Sequence, residues 1–138
     1  TELVQTAGYG DRRRYRTPDG TETVSVHFGE DLRAGLGTPV TSSGKGRVAM
    51  ASERLLTGNT VIIEHLPGVY SVYYHMDTLA VTAGEIVKSG DIIGTVGETG
   101  FATGVHLHWE LRVGAVPVNP ELFLQRRLLD TNDLMGKM

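Results

Sequence analysis

Five histidines and no cysteine set out the chemistry open to this chain of 138 residues. His106 and His108 stand two apart in Val105-His106-Leu107-His108-Trp109-Glu110-Leu111-Arg112-Val113, where apolar and polar residues alternate strictly. A period of two is that of a strand with one buried face. Both imidazoles, Glu110 and Arg112 therefore share the polar face. His27 and Asp31 form a second pair at H-x-x-x-D spacing, which brings the two together on a tight loop or a single helical turn. With His108 as a third ligand, two histidines, one carboxylate and a vacant position make the ligand set of a catalytic zinc. Zinc held that way lowers the pKa of its water to about 7. Such a site also needs a proton handler and a donor for the developing oxyanion. His106, beside His108, and His75, at the end of a Tyr70–His75 strand, are near enough in principle. Tyr73 shares the parity of His75, so both can face one pocket, with Tyr73 either a core residue or a substrate contact.

Each of these residues also has a plainer reading, which is the stronger one when each is taken singly. His75 fits a structural histidine at a strand end, His106 and His108 a solvated face, and His27 with Asp31 a loop hydrogen bond. His65 ends a strand beside a turn and fits no ligand role. Glu110 and Arg112 are expected to pair with each other or to support a ligand.

The elements that must position these side chains read as many short strands. Eighteen glycines fall between short Val- and Ile-rich runs, a pattern of strands joined by tight turns. Val24–His27, Arg47–Ala51, Thr60–His65 and Tyr70–His75 read as strands, the last two as a hairpin with the four-residue loop Leu66–Val69. Phe28–Leu32 reads as a loop. Gly-Glu and Gly-Asp pairs between Val81 and Val96 mark tight turns between very short strands. Residues 97–104 form a glycine-rich loop leading into the histidine strand. Asn119 as N-cap, Pro120 at the first helical position and Leu122, Leu124, Leu128 and Leu129 predict one C-terminal helix. The expectation is a mainly β, antiparallel domain of many short strands with a C-terminal helix and no second domain.

Composition narrows the classes. A hydrophobic share of 40% with 21% charge is ordinary for a globular domain able to bury a core. A net charge of −3 argues against nucleic acid as a partner. The run Arg12-Arg13-Arg14-Tyr15-Arg16 reads as a solvated face or an arm over the domain rather than an anion site. The lack of cysteine removes thiolate zinc sites, disulfides and cysteine nucleophiles. No apolar run approaches the roughly 20 residues of a membrane span, and no signal-peptide pattern stands at the start. The opening at Thr1 leads to the expectation of a fragment or a mature form.

From His27 to Pro120 the chain resembles the LytM/lysostaphin-type zinc metallopeptidases of the M23 family. His27-Phe28-Gly29-Glu30-Asp31 matches H-x-G-x-D, Gly37-Thr38-Pro39-Val40 matches G-T-P-V, and residues 58–65 match G-N-x-V-x-I-x-H. Tyr73-Tyr74-His75-Met76 resembles Y-x-H-L, and residues 84–97 resemble the family's G-x-x-V-x-x-G-x-x-I-G-x-x-G segment. Residues 103–110 resemble T-G-x-H-L-H-F-E, and Pro117-Val118-Asn119-Pro120 the usual ending. Gly8–Arg12 matches the family's opening segment only loosely. Trp109 replaces a common Phe, Tyr74 stands at a commonly small position, and Glu30 adds an acid beside Asp31.

The resemblance implies a compact antiparallel β sandwich or barrel-like domain of the duplicated hybrid motif type. The expected division is an N-terminal arm at 1–20 packing on the domain, a peptidase domain like that of the family at 21–120, and a C-terminal helix and tail at 121–138. The resemblance also implies that His27, Asp31 and His108 hold Zn2+, that His106 is the general base, and that His75 stabilises the tetrahedral intermediate. It implies hydrolysis of peptide cross-links in bacterial peptidoglycan, in the cell envelope, periplasmic or extracellular. Two competitors remain. A zinc-free regulator of other wall hydrolases lacks site residues that are all present here. A biotinyl- or lipoyl-type carrier, suggested by the strand–turn units around Gly84–Gly94, needs a modifiable lysine, and Lys45 and Lys88 qualify only by position.

Overall fold

In the computed structural model, residues 4–16 and 18–119 are described; the predicted C-terminal helix lies outside them. Twelve strands are assigned among the described residues: β1 (Val4–Ala7), β2 (Arg12–Arg16), β3 (Glu22–Val26), β4 (Glu30–Arg33), β5 (Pro39–Thr41), β6 (Gly46–Arg54), β7 (Gly58–Leu66), β8 (Val69–Leu79), β9 (Ile86–Val87), β10 (Ile92–Val96), β11 (Leu107–Val113) and β12 (Val116–Val118). Ten form one sheet whose main path runs β1-β4-β11-β8-β7-β6-β9, with β10 on β8 and β5 and β12 on β11. Every pairing is antiparallel, and β2 and β3 make a separate hairpin. The mainly β, antiparallel reading holds. The residues expected as an arm supply β1, which extends the main sheet through β4, and β2 of the separate hairpin.

Alternation explains which face each strand buries. Val61 and Ile63 of β7, Tyr73 of β8 and Leu107 of β11 join Val40, Val48, Met76, Ile93 and Val96 in one buried cluster, with Trp109 packed against it. A side chain as fully enclosed as Ile63 contributes roughly 1.5–3 kcal/mol relative to exposure. The opposite face of β11 carries His108, Glu110 and Arg112.

Two details differ from the sequence reading. The β7–β8 hairpin is tighter than expected: Leu66 already pairs with Val69, leaving only Pro67 and Gly68 in the turn. Gly68, at φ 83°, takes a left-handed corner that costs other residues strain. Glu30–Arg33 is a strand rather than a loop, because its backbone is captured by β1 on one side and β11 on the other.

His65 is structural, as expected. Its Nδ1 donates to the Lys45 carbonyl at 2.8 Å, and Nε2 lies 2.7 Å from Ser71 Oγ. Burial holds its pKa below the usual 6.5. The unfolded chain therefore binds the extra proton first, so stability present above pH 6.5 is lost as pH falls below it. The melting temperature of the metal-free chain should fall faster between pH 7.5 and 5 than that of His65→Gln. Parallel curves would contradict this.

Candidate active site

Strand register brings the predicted ligands together. On β11, His108 lies opposite Asp31 of β4 on one side and Tyr74 of β8 on the other. His27 follows directly after β3, and its backbone is pinned on both sides: its N–H donates to Asp11 O at 2.9 Å, and Gly10 N–H donates to its carbonyl at 2.7 Å. Gly29 lets the His27–Asp31 loop lie against β11. A Cβ there would come within 2.6 Å of Trp109 O and 2.8 Å of His108 Nε2. The H-x-x-x-D spacing thus works through a loop and a strand start, not through a helical turn.

Three donor atoms face one another. His27 Nε2 and His108 Nδ1 are 3.2 Å apart, and Asp31 Oδ1 is 3.2 Å from the first and 2.8 Å from the second. Ligands bonded at about 2.0–2.1 Å around a tetrahedral zinc lie roughly 3.3 Å from each other, so this triangle has the size of one tetrahedral face. The side chains are nearly buried, at 10%, 12% and 14% exposure for His27, Asp31 and His108.

The outward nitrogen of each ring is held in turn. His27 Nδ1 donates to Gly8 O at 2.9 Å, and His108 Nε2 donates to Glu110 Oε1 at 2.9 Å. Glu110 is gripped from behind by Arg112, with Nε and Nη2 each 2.7 Å from its Oε2. Neutral imidazoles fixed this way turn both lone pairs toward the Asp31 carboxylate. Two ring nitrogens and a carboxylate oxygen then converge within 4.8 Å of one another, an arrangement that suits a cation.

Without a metal, a proton fills that role. Burial alone would lower the pKa of His108, but hydrogen bonds and charge from Asp31 and Glu110 outweigh it and raise the value to about 9. Burial likewise opposes ionisation of Asp31, yet His108 and the charges of His27 and His106 hold its carboxyl well below the usual range. Metal and proton therefore compete for His108.

The two remaining histidines flank the triangle. His106 pairs with Gly97 just before β11; its Nδ1 donates to Gly104 O at 2.9 Å, and its Nε2 stands 3.7 Å from Asp31 Oδ1. His75 has φ 61°, the only positive value at a non-glycine among the described residues. Such a conformation costs roughly 1–3 kcal/mol and persists only where surroundings impose it. Here its N–H donates to Thr57 O and its Nδ1 donates to Thr99 O, both at 2.7 Å. Gly58 and Gly100 let these two loops touch, since a Cβ on Gly58 would sit 2.3 Å from Thr99 Oγ1. The His75 and His106 ring centroids are 5.2 Å apart. Burial lowers the pKa of His75 below the usual 6.5. All four rings border one cavity of about 550 Å³ with Asp31, Arg33 and the exposed Phe101.

Tyr73 does not join them. It is 2% exposed, packed in the core, with its hydroxyl 2.9 Å from Ser43 N and 3.0 Å from Ser71 Oγ. The shared-parity reading fails because the left-handed turn at His75 breaks the alternation of β8. Tyr74 is the neighbour of the site instead: its ring stacks on His108 at 5.3 Å with planes 4° apart. Sequence reasoning also passed over the carbonyls of Gly8, Thr99 and Gly104, which no residue type announces.

Glu110→Gln should keep the fold but lower zinc affinity about 10–100-fold, because an amide oxygen holds the His108 N–H more weakly. A competitive chelator titration measures it; unchanged affinity would show Glu110 to be idle.

Residues 25–120 match the family model described as Peptidase family M23. The chain is 40% identical over 106 residues to the DD-carboxypeptidase/endopeptidase Mpg of Neisseria meningitidis, covering 77% of this chain and 24% of that protein. It is 41% identical over 99 residues to the peptidoglycan DD-endopeptidase ShyA of Vibrio cholerae, covering 72% and 23%. Among solved structures, a zinc-containing peptidase from Vibrio cholerae superposes with a TM-score of 0.76 at 36% identity, over 85% of this chain and 36% of that one. The chain thus spans about a quarter of the length of these curated relatives.

Proposed function

The chain belongs to peptidase family M23, and on that premise we propose that it is a zinc-dependent endopeptidase cutting peptide cross-links of bacterial peptidoglycan. One observation carries the reading. Two imidazole lone pairs and a carboxylate converge at 2.8–3.2 Å, each imidazole aimed by a partner on its far side. His27, Asp31 and His108 are the residues that would hold the ion. Zinc bound there supplies a Lewis acid and a water acidified to about pKa 7.

The chain's own groups do the rest. His106, with Nδ1–H committed to Gly104, takes a proton from the attacking water at Nε2 and returns it to the leaving amine. His75 presents Nε2 in the same way, fixed by Thr99. Protonated at Nε2 from solvent, with Nδ1–H kept on Thr99 O, His75 donates to the carbonyl oxyanion and so stabilises it. The strained backbone at His75 and the Gly58–Gly100 contact keep this ring at the cavity instead of in the sheet.

A peptidoglycan substrate implies work in the cell envelope, periplasmic or extracellular. No helix among the described residues is long and apolar enough to cross a membrane. Digestion of purified bacterial cell walls, with and without chelator, tests the reading. Mass spectrometry should find new amine and carboxyl ends at peptide cross-links only in the chelator-free sample. Intact walls after treatment with the zinc-loaded chain would reject it.

A further inference from the structure

The face of the sheet that carries His108 continues past it into a second cavity, of about 230 Å³, bordered by Arg54, Ile62, Tyr70, Val72, Tyr74 and Arg112. This is smaller than the roughly 300–1,000 Å³ of ordinary cofactor and ligand pockets and suits a single residue of a peptide. Tyr74 belongs to both sites, since the ring that borders this cavity also stacks on His108. Whatever sits here lies next to the metal-facing histidine. We propose that this cavity is an anion subsite that takes a free carboxylate carried by the peptide substrate beside the bond to be cut. The proposal rests on the endopeptidase reading of the neighbouring site.

Charge and hydrogen-bond capacity argue for it. Two guanidinium groups border the cavity and, among the described residues, no carboxylate does. Arg112 is fixed in place, with Nε and Nη2 directed to Glu110, which is only 4% exposed behind it. Its Nη1 hydrogens remain available. Arg54 is exposed and makes no ion pair among the described residues. Glu64, paired with Tyr70 across β7 and β8, raises the Tyr70 pKa. Ile62 and Val72 floor the cavity without polar competitors. A carboxylate between a fixed and a free guanidinium gains charge-assisted hydrogen bonds, while an uncharged residue gains none. The subsite therefore selects cross-links between carboxylate-bearing stem peptides over uncharged oligoglycine bridges.

The test uses zinc-loaded chain and two cross-linked peptides that differ only in the carboxylate beside the scissile bond, free in one and amidated in the other. The free acid should be cleaved with roughly tenfold higher kcat/KM, through KM. Arg54→Ala should lose that preference while keeping its zinc and its kcat on the amide. Equal kcat/KM for the two peptides in the wild type, or the full preference persisting in Arg54→Ala, would overturn the subsite. If neither peptide is cut, the endopeptidase reading fails, and a titration still decides the subsite. Acetyl-D-alanyl-D-alanine should shift the Tyr70 and Tyr74 ring signals in NMR spectra and its amide should not; equal shifts would overturn it.

Discussion

Asp31→Ala should leave the chain unable to retain zinc and should lower hydrolysis by more than about 10³-fold, since a bound Lewis acid is worth several kcal/mol and each 1.36 kcal/mol is tenfold. Asp31 is the only anion of the three donors, and its Oδ1 lies within 3.2 Å of both His27 Nε2 and His108 Nδ1. Without it, two neutral imidazoles face each other and nothing offsets the charge of an arriving dication. His108→Ala should behave alike, because it removes the Nδ1 that stands 3.2 Å from His27 Nε2 and 2.8 Å from Asp31 Oδ1. Zinc per chain after dialysis, measured beside turnover, checks both. A variant that keeps a full equivalent of zinc would remove Asp31 or His108 from the ligand set.

His106→Ala should separate binding from chemistry. Its Nε2 is 3.7 Å from Asp31 Oδ1, outside the triangle of 2.8–3.2 Å formed by the other three. Its ring is tied by Nδ1 to Gly104, not to any ligand. Zinc content should therefore stay at the wild-type level while turnover falls about 10²–10⁴-fold, the usual contribution of a positioned general base. Retained turnover would transfer the base role to His75, whose Nε2 is presented in the same manner by Thr99.

Much of this site was legible before any fold was known, because alternation is a local property. The period of two in Val105–Val113 correctly put His108, Glu110 and Arg112 on one face and Leu107 and Leu111 in the core. Where the reading failed, non-local pairing decided. Glu30–Arg33 carries too few residues and too much charge to read as a strand, yet neighbours on both sides make it one. Counting residues from His75 left Tyr73 open between core and pocket; it lies in the core, and the count breaks at a left-handed backbone that no side-chain pattern encodes. The carbonyls that aim the imidazoles, from Gly8, Thr99 and Gly104, belong to loops whose sequence reports flexibility and not direction. The spacing of Glu110 and Arg112 did suggest a pair, and the bond between them is the part of the supporting shell that side-chain identity can reveal.

Zinc add-back to chelated chain tests the central claim most directly. Peptide-bond hydrolysis in cell-wall material should be absent from the stripped chain, rise in proportion to added zinc, and level off at one ion per chain. Hydrolysis that proceeds undiminished after chelation, or a chain that binds one zinc and still cuts no peptide bond, would contradict the account.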